Sequence, residues 1–177
     1  MCEKVIARIP SMTSEERQQL RRNCWRAVER SPDPLIVKEA RKVIDELTAV
    51  ERREVKFVER LPAPRRIEYA FRRLPANDRE RCAIQLLYDQ EPATPQRIVA
   101  VLGEARPVDW PRPFAAMCRN RRHLLPETWQ MADPADEPQG YAAALIDFDA
   151  PTQIVRLKPE AQAAFATLGY LRARASS

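Results

Sequence analysis

The residues of this chain nearest to chemistry are a run of arginines, Arg119-Asn120-Arg121-Arg122-His123, preceded by Arg112. The run sits near the end of a stretch whose apolar residues recur at helical spacing: Trp110, Phe114, Met117, Cys118 and Leu125. A helix over 109–125 places those five on one side. Arg112, Ala115, Ala116, Arg119, Arg122 and His123 fall on the other. Arginine presents a planar fork of donors that matches a guanine edge or a phosphate bidentately. Small alanines between arginines let such a helix lie close against a groove. Arg112, Arg119, Asn120, Arg122 and His123 are therefore candidate nucleic-acid contacts. Thr152, Gln153, Arg156 and Lys158, on a later pair of extended segments, are candidate phosphate contacts.

Other chemistry is poorly supplied. His123 is the only histidine, so no two-histidine metal site can be written, and Cys118 with His123 lacks a second ligand pair. Nucleophile–histidine schemes rest on that one residue. Asp147-x-Asp149 is a carboxylate pair, but the following strand carries Arg156-x-Lys158 where a nuclease pattern would need an acid and a lysine. Three glycines, Gly103, Gly140 and Gly169, lie too far apart for a phosphate-cradling loop. The expectation is a protein that is not an enzyme and holds no cofactor or metal.

The 177 residues suit one domain or two small ones, and 45% hydrophobic with 31% charged residues describes a globular chain. Cys2, Cys24, Cys82 and Cys118 have no close spacing and read as free thiols, three of them on or beside apolar helix faces, in a reducing bacterial-type cytoplasm. Nothing resembles a signal peptide, and no apolar run approaches the ~20 residues of a membrane helix. Net charge is +5, unevenly spread. Between Pro64 and Pro126 every Lys/Arg position is arginine. From Glu127 to Ala150 there is no Lys or Arg, while Glu127, Asp133, Asp136, Glu137, Asp147 and Asp149 are acidic.

Several elements must position these groups. Residues 1–10 are a short extended or helical lead-in. Thr13 and Glu16 form a capping box for a first helix, with Leu20, Cys24, Ala27 and Val28 inward and Arg17, Arg21, Arg22 and Arg26 outward. Asp33-Pro34 starts a second helix, with Ile36, Ala40, Val43 and Leu47 as its stripe. Thr48 and Glu51 predict a third, running to Pro62. A helix over Arg65 to Arg73 turns Ile67, Ala70 and Phe71 inward. Asn77 caps a helix through Gln90 with Cys82, Ala83, Leu86 and Leu87 buried. Thr94-Pro95 opens another, with Ile98, Val101 and Leu102 inward, which Gly103 ends. Asp109 is the expected cap of the arginine helix. After a polar loop from Asp133 to Gly140, Ala142 to Phe148 and Gln153 to Leu157 alternate as a hairpin over 142–157. Pro159 begins a last helix with Ala161, Phe165 and Leu168 inward.

The order capped helix, short helix ending Leu102-Gly103, arginine-bearing helix, hairpin, closing helix resembles a winged helix-turn-helix domain over 77–171. The part from Phe71-Arg72-Arg73-Leu74-Pro75-Ala76-Asn77-Asp78-Arg79 to Ile98-Val99-Ala100-Val101-Leu102-Gly103 is also similar to region four of bacterial sigma factors. That family enters its recognition helix almost at once. Here Glu104-Ala105-Arg106-Pro107-Val108 intervenes, so the likeness is not carried to a sigma factor. The resemblance implies a mainly α fold with one β-hairpin. An N-terminal helical unit over 1–62 would serve a homodimer or a protein partner, and 63–177 would be the winged domain. Its expected partner is double-stranded DNA, with no membrane. Helix 109–125 would enter the major groove of a transcriptional target and the hairpin would be the wing. The competing expectation is an interaction module or accessory subunit on the same scaffold, its arginines facing an acidic protein, or a merely solvated arginine face like that of the first helix.

Overall fold

The computed structural model describes residues 2–89, 92–128 and 138–172. Over these residues the chain is mainly helical with one two-stranded antiparallel hairpin. The lead-in is a helix, α1 (Cys2–Arg8), followed by a 3-10 turn at Ile9–Ser11. Thr13 caps α2 (Ser14–Arg30): its hydroxyl accepts from the Glu16 amide and the Glu16 carboxylate accepts from its own. Asp33 caps α3 (Pro34–Val58) by accepting from the Leu35 amide.

The second and third expected helices are one. Ala40, Val43, Leu47, Val50, Glu54 and Val58 form an unbroken buried stripe at three- and four-residue spacing. Thr48 is exposed and caps nothing, its hydroxyl donating back to the Ile44 carbonyl. At 25 residues, α3 is about 37 Å long. It takes part in two apolar clusters. Val43, Leu47 and Val50 join Cys2 and Ile9 in a small one, with Leu20 and Cys24 against it. Val58 belongs to the main core, which the rest of the chain builds. Between them, in the same stripe, stands Glu54.

After α3 come α4 (Ala63–Arg73), α5 (Asp78–Asp89) and α6 (Pro95–Leu102). Asn77 and Glu80 form a reciprocal cap at the start of α5, and Gln90, its expected end, lies outside the described residues. Thr94 caps α6, and Gly103 ends it at φ +70°, the left-handed region that favours glycine. The inward face of α6 is Ile98 and Val99, with Val101 exposed; Cys82 on α5 is exposed as well.

The expected helix 109–125 is shorter. A 3-10 turn at Pro107–Asp109 leads into α7 (Arg112–Asn120), and a second turn spans Arg122–Leu124. Asp109 is buried within the first turn and caps nothing, because its carboxylate is taken by Arg106 and Arg112. The expected strand from Ala142 is also shorter. Tyr141, Ala142, Ala144 and Leu145 are all buried, which alternation cannot achieve, and they belong to α8 (Pro138–Ala142) and the turn after it, packed on α7. The hairpin is β1 (Ile146–Asp149) with β2 (Ile154–Leu157), in the register Asp147 to Arg156 and Phe148 to Val155. Ala93, between α5 and α6, bridges Val155 from the other side, its carbonyl accepting from the Val155 amide at 2.8 Å. Helix α9 (Pro159–Thr167) closes the chain against α4, with Phe71, Phe165 and Tyr170 in mutual contact.

One charged side chain fixes where α7 lies. Arg121 is 2% exposed. Its guanidinium donates to the carbonyls of Leu74, Pro75 and Met117 and to both Glu80 oxygens, at 2.8–3.1 Å. The Phe71 ring lies 4.0 Å from its centre. Five donors of a rigid fork are thus spent on the α4–α5 connection, the α5 start and α7 itself. Replacing Arg121 by Met should cost ~3–5 kcal/mol in urea denaturation, since Glu80 is left buried and unpaired. Combining it with Glu80→Gln should cost less than the sum of the single changes. Additive losses would show that the pair is not a unit.

Candidate nucleic-acid interface

Helix α7 forms because Phe114, Met117 and Cys118 recur on one side and bury completely. Its prolines, Pro111 at the cap and Pro113 in the first turn, stand where amides have no intrahelical partner. Burial on α5 and under α8 leaves a narrow outer stripe: Arg112, Ala116, Arg119 and Asn120, at i, i+4, i+7 and i+8. Ala115, expected on that face, is 4% exposed.

The stripe's members differ in freedom. Arg112 Nε lies 3.2 Å from Asp109 Oδ1 in an ion pair. Asp109 also accepts from Arg106; that hydrogen bond first, and then the charges of Arg106 and Arg112, hold its carboxyl below the usual range. Arg119 is exposed, and its side chain has no hydrogen bond or ion pair among the described residues. Asn120 and Arg112 line a small cleft with Asn77 and Arg79 at the α5 start. Arg79 was not singled out from the sequence. It is exposed there, paired with Glu104 at 2.6 Å, and only the tertiary approach of α5 to α7 brings it to the stripe.

The rest of the arginine run is dispersed. Arg121 is the core residue described above. Arg122 is half-buried, with its guanidinium 5.7 Å over the Tyr141 ring. His123 is half-buried at the far side, its side chain 9% exposed and facing α2 and α3. The reason is local: Arg121 leaves helical geometry at φ −109°, ψ 14°, so the residues after it do not continue the α7 stripe.

The hairpin candidates are similarly divided. Thr152 donates its hydroxyl to Asp149 at 2.5 Å, and the Gln153 amide donates to the Ala150 carbonyl at 2.7 Å, so both are engaged in closing the turn. Gln153 carries the turn's positive φ, +54°. Arg156 is exposed directly across from Asp147, and Lys158 Nζ lies 3.9 Å from the same carboxylate. The outer face of the hairpin is therefore close to charge-balanced.

His123 belongs to a different constellation. Its Nδ1 lies 2.7 Å from Ser14 Oγ, which also accepts from the His123 amide at 3.2 Å. Its Nε2 is 3.8 Å from Glu54 Oε2, sealed from solvent and without a hydrogen-bond partner. Glu54 in turn receives Arg17 at 2.6 and 3.2 Å and lies 3.8 Å from Arg73. Arg17, expected outside, is 1% exposed. Serine, histidine and carboxylate in this order have the composition of a catalytic triad. Yet the carboxylate's charge is already taken by Arg17, and the Ser14 hydroxyl is tied to both the ring and the backbone amide of His123. The arrangement suits a structural seam between α2, α3 and the end of the α7 segment.

Burial, then the charges of Arg17 and Arg73, push the His123 imidazole down to about 3. An unfolded histidine titrates near 6.5, so between about pH 6.5 and 3 the unfolded chain binds a proton that the folded one refuses. Stability contributed by neutral His123 is complete above about pH 6.5 and falls with decreasing pH, at up to ~1.4 kcal/mol per unit. Urea midpoints measured from pH 7.5 to 4.5 should show that slope, and His123→Gln should flatten it. An identical slope in both proteins would remove His123 as its source.

Compared with known proteins, the chain matches no family model, no curated protein and no solved structure.

Proposed function

We propose that the chain binds duplex DNA with the outer stripe of α7 and acts as a transcriptional regulator. The observation that carries this reading is the stripe itself. Arg112, Arg119 and Asn120 are accessible on one helix face, with only the methyl group of Ala116 between them. That combination of forked donors and a low profile suits insertion into the major groove. The contact set is narrower than the full arginine run: Arg122 and His123 drop out, Arg79 is added, and Arg156 is the hairpin's outward cation.

A winged helix-turn-helix scaffold is part of the same proposal. What supports it is the order α5, Ala93, α6, α7, α8, β1, β2, together with the Ala93–Val155 bridge, which ties the α5–α6 connection to the hairpin. The Trp110–Phe148 contact, with ring centroids 5.0 Å apart, fastens the start of the α7 segment to the same hairpin. Reading helix and wing would then move as one piece.

The test is a titration of fluorescent random-sequence duplex DNA with the full chain at two salt concentrations. Micromolar binding that weakens steeply with salt is expected. Arg119→Ala should weaken it by ~1–3 kcal/mol, or lower the salt slope by about one, with its unfolding midpoint unchanged, and Arg112→Ala should weaken it likewise. Absence of binding at low salt overturns the proposal. If binding persists but ignores both substitutions, a surface other than α7 is responsible.

A further inference from the structure

The two helices that meet at the α3–α4 corner carry the same short pattern. Arg53, Phe57 and Arg60, on α3 and the turn that ends it, have the spacing of Arg65, Tyr69 and Arg72 on α4. In each, one arginine stands four residues before an aromatic ring and another three after it. Those offsets put side chains on one side of a helix. The two rings meet, their centroids 4.8 Å apart and their planes tilted by 57°. Tyr69 is half-buried against the main core, whereas Phe57 is 47% exposed. A shallow groove of about 360 Å³ runs beside them, lined by Leu61, Arg65, Glu68, Tyr69 and Arg72.

The flanking cations are held in place without being neutralised. Glu68 is buried and accepts from Arg65 at 2.7 Å, with Arg72 paired to its other oxygen at 2.8 Å. Both arginine side chains stay open, 66% and 63% exposed. One carboxylate thus orients two cations, and each guanidinium, with five N–H donors, keeps some unspent. Arg53 pairs with Glu46 at 2.9 Å and is itself 67% exposed. Arg60 is exposed, and its side chain has no partner among the described residues. Four guanidinium groups therefore flank the rings and meet two carboxylates, which leaves excess positive charge beside an open ring.

We propose that this corner binds single-stranded nucleic acid, with a base stacked on the exposed part of Phe57 and the neighbouring phosphates on the arginines. Every unpaired base has a π face to offer, and one base–aromatic stack is worth ~1–3 kcal/mol. In a duplex the bases cover one another, so the ring would find no face to meet. The arginine forks match phosphate bidentately and can also stack on a base. An acidic protein would satisfy the arginines and leave the ring unused. DNA and RNA share the chemistry that fits. None of these residues belongs to the α7 stripe, so the inference stands apart from duplex binding there.

The probe is a fluorescein-labelled oligothymidylate of about 15 nucleotides, titrated with the full chain at low salt and read by anisotropy. An oligouridylate of equal length distinguishes RNA from DNA. An abasic strand and polyglutamate carry the charge without bases. Saturable binding is expected for a base-bearing strand, with both controls about fivefold weaker or more. Phe57→Leu keeps an apolar neighbour for Tyr69 and removes the ring. It should weaken oligothymidylate binding about fivefold or more and leave abasic binding unchanged. Arg60→Ala, at an exposed site, should lower the salt slope by about 0.7, the share of one phosphate on a single strand. This variant keeps the test decisive should Phe57→Leu fold poorly. Arg119→Ala on α7 should change neither quantity. Failure of both base-bearing strands to saturate, equal binding of either control, indifference to Phe57→Leu, or loss with Arg119→Ala would each overturn the assignment.

Discussion

The position of α7 depends on a buried arginine more than on the helix's own apolar face. Arg121 reaches across to the carbonyls that end α4, grips the carboxylate that opens α5, and returns to α7 through Met117. Apolar packing is non-directional and would tolerate small rotations of a nine-residue helix. A forked donor set with five short bonds does not, because each bond has an angle as well as a length. The outer stripe of α7 and the cleft beside Arg79 follow from where that knot holds the helix.

The same residue explains why the arginine run reads so differently in sequence and in space. On a helical wheel, Arg119, Arg122 and His123 share a face. The wheel assumes the helix continues, and Arg121 ends it. Local signals were legible: Thr13 with Glu16, Asp33 with Pro34, and Thr94 with Gly103 cap their helices as their types predict, since each cap is made by residues within a turn of one another. The Thr48–Glu51 pattern has the same local form and fails, because a buried stripe running through it outweighs one cap. Arg17 and Arg121 look like solvated charges in any window of sequence. Their carboxylate partners lie 37 and 41 residues away, and only the assembled fold shows them.

The hairpin shows a comparable limit. Alternation located β1 and β2 correctly but ran too far toward Ala142, since a buried turn packed on α7 carries small apolar residues that alternation alone does not exclude. The Ala93–Val155 bridge carries no sequence signal, being a single backbone contact between segments far apart in the chain. It nonetheless relates the hairpin to the helices.

Glu54 has a consequence for how this chain can change over time. It is a carboxylate set in an otherwise apolar stripe, between two clusters that share one helix, and Arg17 and Arg73 approach it from other elements. Losing Arg17 alone strands a buried anion, and losing Glu54 alone strands a buried cation. Each single step is therefore costly, whereas a joint exchange for apolar residues of similar volume is close to neutral. Positions 17 and 54 are bound to drift together or stay fixed, and that linked pattern of replacement is the mark this seam would leave among descendants of the sequence.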